Sequence, residues 1–159
     1  MRVVQDEPVL AIRADDGFMH VSTAQALLEH VSEIVGDPSP QLEFYDGAGR
    51  QLHVVNGELE PMTVPDPAGG PNPVEVVADP QLLVDRIYVV LARTQVALDR
   101  AVAPLDVGGR PVRRIPRVSG ELPVVLHLLS CLGGELESHA NPGPATGWHA
   151  VYHLLGFRH

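Results

Sequence analysis

Apolar and polar positions alternate most cleanly where Gln41 to Tyr45 and Gln51 to Val55 flank the run Asp46-Gly47-Ala48-Gly49-Arg50. Leu42, Phe44, Leu52 and Val54 fall on one side of this period-two pattern, which predicts a β-hairpin with one buried face. His53 falls on the other side with Glu43 and Tyr45, towards solvent or a sheet edge. Upstream, Pro8 to Ala14 reads as a short strand ended by Asp15-Asp16-Gly17, with Phe18 to Val21 pairing beside it. Ser22 then reads as an N-cap, because Gln25 follows three residues on and Leu27, Leu28, Val31, Ile34 and Val35 recur at helical spacing. Gly36 and Pro38 stop that helix, and His30 lies at the edge of its apolar stripe as a surface residue.

Residues 57 to 73 hold five prolines, which exclude a long helix or a central strand, so this stretch reads as a surface connector. The roughly 56 residues before it would make a thin core alone, which favours one domain over the whole chain, 1–159. Asp79 or Pro80 opens the longest helix, with Leu83, Ile87, Val90, Leu91 and Leu98 on its core side and Pro104 closing it. Val89, Val96 and Val102 make it apolar on a further face, as in a helix covered on both sides or lying in an oligomer contact. Arg86, Arg93 and Arg100 mark its outer side. Leu105 to Ile115 repeats the Asp-x-x-Gly-Arg turn of the first hairpin, which points either to an internal duplication or to common turn chemistry. Glu121 to Leu132 predicts a buried helix ending at Gly133-Gly134, and Thr146 caps a last helix with His149 to Leu155 as its body and Gly156 as its stop. The expected fold is α+β: a small antiparallel or mixed sheet of β-hairpins, packed by a long central helix and two shorter C-terminal helices.

Composition refines this picture in a few places. Only 4% of residues are aromatic, so the core is expected to be built from Val, Leu and Ala. The formal charge is −9 with 11 arginines and no lysine, a bias that resembles bacterial base composition. An acidic surface repels phosphate backbones and anionic lipids, so neither nucleic acid nor membrane is an expected partner; the one basic cluster, Arg110 to Arg117, reads as a solvated turn and strand edge. A single cysteine, an N-terminus without an apolar leader and apolar runs too short to span a bilayer lead to the expectation of a soluble cytoplasmic protein.

The side chains with chemistry gather in the last third, which holds the sole cysteine, the sole tryptophan and five of the eight histidines. His127 and Cys131 are four residues apart, as are His149 and His153, so each pair projects from one side of its helix. The Gly- and Pro-rich stretch between the two runs is long enough for the second helix to fold back on the first, which would bring together four donors suited to tetrahedral zinc. Glu135, Glu137 and His139, expected in that loop, are substitutes or supporting partners. The competing reading makes Cys131 a small buried hydrophobe and the histidines packing residues beside Trp148 and Tyr152. A Cys131 nucleophile activated by His127 is disfavoured in an apolar helix middle.

Asp16 to Thr23, DGFMHVST, is similar to a segment of small bacterial domains related to the RNA 2′-phosphotransferase and ADP-ribosyltransferase folds. The resemblance spans eight residues and implies that His20 and Ser22 would touch a nucleotide; no companion motif follows later in the chain. Walker, dinucleotide-binding, G-x-S-x-G and H-E-x-x-H patterns are all absent. Two functions follow as expectations. One is a non-catalytic binding or regulatory module that self-associates or joins a complex. The other is a zinc-dependent hydrolase or zinc-binding protein built on His127, Cys131, His149 and His153, with three ligands and a water for catalysis or four protein ligands for a structural site.

Overall fold

In a computed structural model of the chain the described residues are 6–16, 19–35, 42–100, 105–107, 110–112, 114–115 and 117–137. The main sheet is organised around β1 (Pro8–Arg13), whose Val9, Leu10, Ala11 and Ile12 are all fully buried. Four buried side chains in a row on a strand require cover on both faces, because successive residues point to opposite sides. Antiparallel neighbours flank β1: β2 (Met19–Thr23) on one side and β3 (Leu42–Tyr45) on the other. Beyond β3 come β4 (Gln51–Val55) and β5 (Glu58–Pro61), giving a five-stranded antiparallel sheet of order β2-β1-β3-β4-β5. Helix α1 (Ala24–Val35) carries the chain from the edge strand β2 across β1 to β3.

The two faces hold separate cores. Val9, Ala11, Phe44, Leu52 and Leu59 meet Ala24 and Leu27 of α1 on one side. On the other, Leu10, Ile12, Met19, Val21 and Tyr45 pack against two helices: α2 (Pro80–Arg100), through Leu83, Val84, Ile87 and Val90, and α3 (Leu122–Glu137), through Leu122, Val125, Leu126 and Leu129. That second core draws on residues from both sides of the 57–73 stretch. Two short strand pairs complete the described structure, β6 (Thr63–Val64) with β7 (Val74–Glu75) and β8 (Leu105–Val107) with β9 (Arg110–Val112).

The α+β arrangement predicted from the pattern is present, with several local differences. Tyr45 does not face solvent: it is buried in the second core, because the sheet is covered on both sides. Ser22 is still a strand residue paired with Val9, so the cap of α1 falls one residue later, where Thr23 Oγ1 accepts from the Ala26 amide at 3.3 Å. The proline-rich connector begins with an edge strand, β5, entered through Asn56-Gly57 at positive φ of 50° and 80°. This is the Asn-Gly geometry of a two-residue hairpin turn, and Pro61 is tolerated because β5 is an edge. Helix α3 runs through Gly133-Gly134 to Glu137, so Glu135 and Glu137 are helical rather than in a loop; each glycine weakens a helix by about 1 kcal/mol without breaking its hydrogen bonds. The two Asp-x-x-Gly-Arg turns differ in register. Asp46 lies opposite Arg50 across a three-residue loop, whereas Asp106 pairs with Pro111 and Val107 with Arg110. A one-residue offset reverses which side chains share a face, so common turn chemistry accounts for the similarity better than duplication. The predicted final helix lies outside the described residues.

Candidate functional site

The outer surfaces of α2 and α3, which pack side by side over the second core, carry the candidate site. Pro80 occupies the first turn of α2, and Asp79 caps it by accepting the Gln81 amide through Oδ1 at 2.9 Å. With Leu83, Val84, Ile87 and Val90 facing the sheet, the helix presents Leu82 (60% exposed), Val89 (41%) and Val96 (49%) outward, one every seven residues. Asp85 and Ala92 lie between them and Asp99 follows Val96, with the two aspartates held by Gln81 and Gln95 along the helix at 3.0 and 2.9 Å. Helix-pairing seams carry two apolar positions per seven residues, and here the second position is taken by Asp85, Ala92 and Asp99, so the apolar stripe is a single residue wide.

Arg86 does not mark the outer side of α2, and Arg93, though exposed, turns its guanidinium to the β1–β2 turn. Arg86 Nε donates to Asp16 Oδ1 at 2.6 Å, and its Nη2 donates to Glu43 Oε2 at 2.8 Å and to the Arg13 carbonyl at 3.2 Å. Arg93 Nη1 donates to the carbonyls of Asp15 and Asp16 at 2.9 and 3.0 Å. The two arginines thereby clamp the β1–β2 turn, where Asp16 sits at φ 56°. Burial alone would lower the Arg86 pKa, but its hydrogen bonds and charge pairing with Asp16 and Glu43 outweigh burial and hold it above the usual value. Beside this cluster the Tyr45 hydroxyl is shifted upward, first by burial and then by the Glu43 charge, with Arg86 pulling the other way. No spacing in the sequence announced the clamp, since its partners lie 43 or more residues apart.

Helix α3 is buried along one side only. Val124 (51% exposed) and Leu128 (42%) face outward, and His127 and Cys131 are exposed with them. Cys131 is therefore not a core residue, because the stripe that packs on the sheet runs through Val125, Leu126 and Leu129 instead. The predicted pair His127 and Cys131 shares one outward side, one turn apart. His149, His153 and His139 lie outside the described residues, among which no group of three or more His, Cys, Asp or Glu is placed to hold a metal.

His20 and Ser22, singled out by the DGFMHVST resemblance, point from the edge strand β2 towards the α1 side of the sheet. They are only 4% and 6% exposed, with His20 Nε2 and Ser22 Oγ 3.2 Å apart. Ser22 Oγ also donates to the Thr23 carbonyl at 3.3 Å, which leaves the His20 ring as donor in the pair if Nε2 carries the proton. At this burial the pair serves the seam between β2 and α1. It lines neither the cleft within the 63–73 loop nor the one beside Gly47. One cleft, of about 430 Å³, lies within the 63–73 loop, and the other, of about 450 Å³, lies where Gly47 meets the first turns of α2 and α3. Asp79 and Glu121 line the second cleft, so the positive ends of both helix dipoles already face carboxylates.

No helix among the described residues is long and apolar enough to cross a membrane. No family model, curated protein or solved structure matches the chain.

Proposed function

We propose that the protein is a non-catalytic binding module that self-associates through the outer stripe of α2. The observation that carries this reading is the exposure of Leu82, Val89 and Val96 at seven-residue intervals on a helix whose opposite side is fully engaged with the sheet. Antiparallel pairing about a two-fold axis at Val89 sets Leu82 of one copy against Val96 of the other. The seam from Leu82 to Val96 is about 21 Å long at 1.5 Å per residue. An interface this small implies a weak dimer, with a Kd of about micromolar or above. Sedimentation velocity over a hundredfold concentration range tests it: the parent should shift from monomer to dimer, and Val89→Glu should remain monomeric. A parent that stays monomeric at every concentration, or a Val89→Glu variant that dimerises equally well, overturns the reading.

A second reading is favoured by one observation, the shared outward side of His127 and Cys131. It makes the protein a zinc-dependent hydrolase or zinc-binding protein in which His149 and His153 supply the remaining ligands. Imidazole and thiolate together suit zinc, and binding would weaken as falling pH protonates the donors. Elemental analysis of protein purified without a metal-affinity step decides it. About one equivalent of zinc, lost in both Cys131→Ala and His149→Ala, supports this reading; metal-free parent protein removes it.

A further inference from the structure

The turn between β4 and β5 holds the only asparagine of the chain that is not followed by proline. Of the three asparagines, Asn72 precedes Pro73 and Asn141 precedes Pro142, and a proline nitrogen in the chain carries no hydrogen and cannot attack a side chain. Asn56 precedes Gly57, and both are exposed, at positive φ of 50° and 80°. A Cβ built on Gly57 would meet nothing within 4 Å, so the surroundings of this peptide are open. The chemically similar pair Asp46-Gly47 is the opposite case. Asp46 is 2% exposed, and its carboxylate is fixed by the Ala48 and Arg50 amides and by Arg50 Nε.

We propose that Asn56-Gly57 is a site of spontaneous modification, at which the folded chain converts Asn56 to isoaspartate or aspartate. The Gly57 nitrogen bonds to Asn56 Cγ, the Cγ–Nδ2 bond breaks, and the side-chain nitrogen leaves as ammonia, taking up the proton that Gly57 gives to solvent. Water then opens the cyclic imide at one of its two carbonyl carbons, its hydroxyl staying on carbon and its proton going to the Gly57 nitrogen. Opening at Cγ gives aspartate with the original backbone. Opening at the backbone carbonyl gives isoaspartate, in which Gly57 stays bonded to Cγ and the chain is one methylene longer. Ring closure needs the turn to open, and its position favours that, because β5 is a four-residue edge strand paired only with β4 in the sheet. Either product adds a negative charge beside Glu58 in a chain of formal charge −9. The added methylene also lengthens the two-residue turn that sets Val55 against Glu58 and Val54 against Leu59, and Leu59 belongs to the core under α1. Modification therefore loosens β5. The chemistry needs no partner copy.

The test holds the full chain at mildly alkaline pH, native and in urea, and follows intact mass and the tryptic peptide 51–86, which contains Asn56 and Asn72. Each conversion replaces an amide by an acid, so mass counts the events, and methylation by an isoaspartyl methyltransferase counts the isoaspartate. The expected result is one conversion per chain, at Asn56, with isoaspartate the larger product. The native rate should be at least about a tenth of the unfolded rate, as for a turn that opens locally rather than with the whole fold. Asn56→Gln, whose larger ring closes far more slowly, should keep its mass in both states, whatever the change does to the fold. Converted native protein should unfold at a lower urea midpoint than fresh protein. A native rate below that fraction overturns the proposal, as does conversion that persists in Asn56→Gln or a midpoint unchanged by conversion.

Discussion

Replacing Arg86 with Ala removes the only side chain that links α2 to the β1–β2 turn and to β3 at once through charged hydrogen bonds among the described residues. Three bonds are lost, two of them to carboxylates at 2.6 and 2.8 Å. A hydrogen bond to a charged group contributes about 1.5–3 kcal/mol when shielded, whereas fully exposed ion pairs contribute about 0–1 kcal/mol. The side chains of Arg86, Asp16 and Glu43 are 23%, 24% and 30% exposed, so each pair falls between these limits. Removal also leaves two carboxylates near each other without their cation. A loss of about 2–3 kcal/mol follows, or about a 30-fold to 160-fold shift in the folding equilibrium. Urea unfolding followed by circular dichroism measures it, with the slope m unchanged if the native surface is intact. Glu43→Gln in a double-mutant cycle should show coupling of about 1 kcal/mol. A loss below about 0.5 kcal/mol would refute the reasoning, since the clamp would then behave as an ordinary surface ion pair.

Gly49 sits at φ 83°, and a Cβ there would lie 2.6 Å from the Ala78 carbonyl oxygen, so Gly49→Ala should destabilise by about 2 kcal/mol or more in the same assay; an unchanged midpoint contradicts this. Tyr45 is protonated more persistently in the folded chain than in the unfolded one. Its contribution is therefore fully present below the ordinary tyrosine value near 10 and is lost as pH rises through the higher folded value. Stability measured from pH 9 to 11.5 should fall, and Tyr45→Phe should flatten that fall; an equal slope in both proteins counts against the assignment. We also expect limited proteolysis to cut first between Pro65 and Pro73, where nearly every residue is exposed, with the two fragments staying associated through the shared second core. Fragments that separate and each melt cooperatively would mean two domains.

The parts of this fold legible in the sequence are those set by local pattern. The hairpin at Asp46 followed from alternation, and the turn is held by the Asp46 carboxylate, which accepts from the Ala48 and Arg50 amides at 3.0 Å and from Arg50 Nε at 2.6 Å. Helix α2 followed from its period and its Asp79-Pro80 start. The sides chosen by tertiary packing were less legible. Alternation assigned Tyr45 outward because it assumes one buried face, and the second layer of helices reverses that. In α3, apolar all round, periodicity alone does not say whether Val125 or Val124 meets the sheet, and so could not decide whether Cys131 is buried. Polarity placed Arg86 and Arg93 at the surface, but their long side chains reach acceptors in a turn that only the folded chain brings near. The Asn56-Gly57 hairpin was readable and was masked by the prolines that follow it.

Self-association through α2 is tested most directly at the residue on the two-fold axis. In a Cys131→Ser background, Val89→Cys places one thiol on each copy at the point where the stripe meets itself, and mild oxidation reads their proximity. A disulfide-linked dimer is the expected main product, formed more slowly when Leu82→Glu is added. A Val89→Cys variant that forms no disulfide under oxidation, while the same protein at that concentration sediments as a dimer, would place the interface elsewhere and contradict the account.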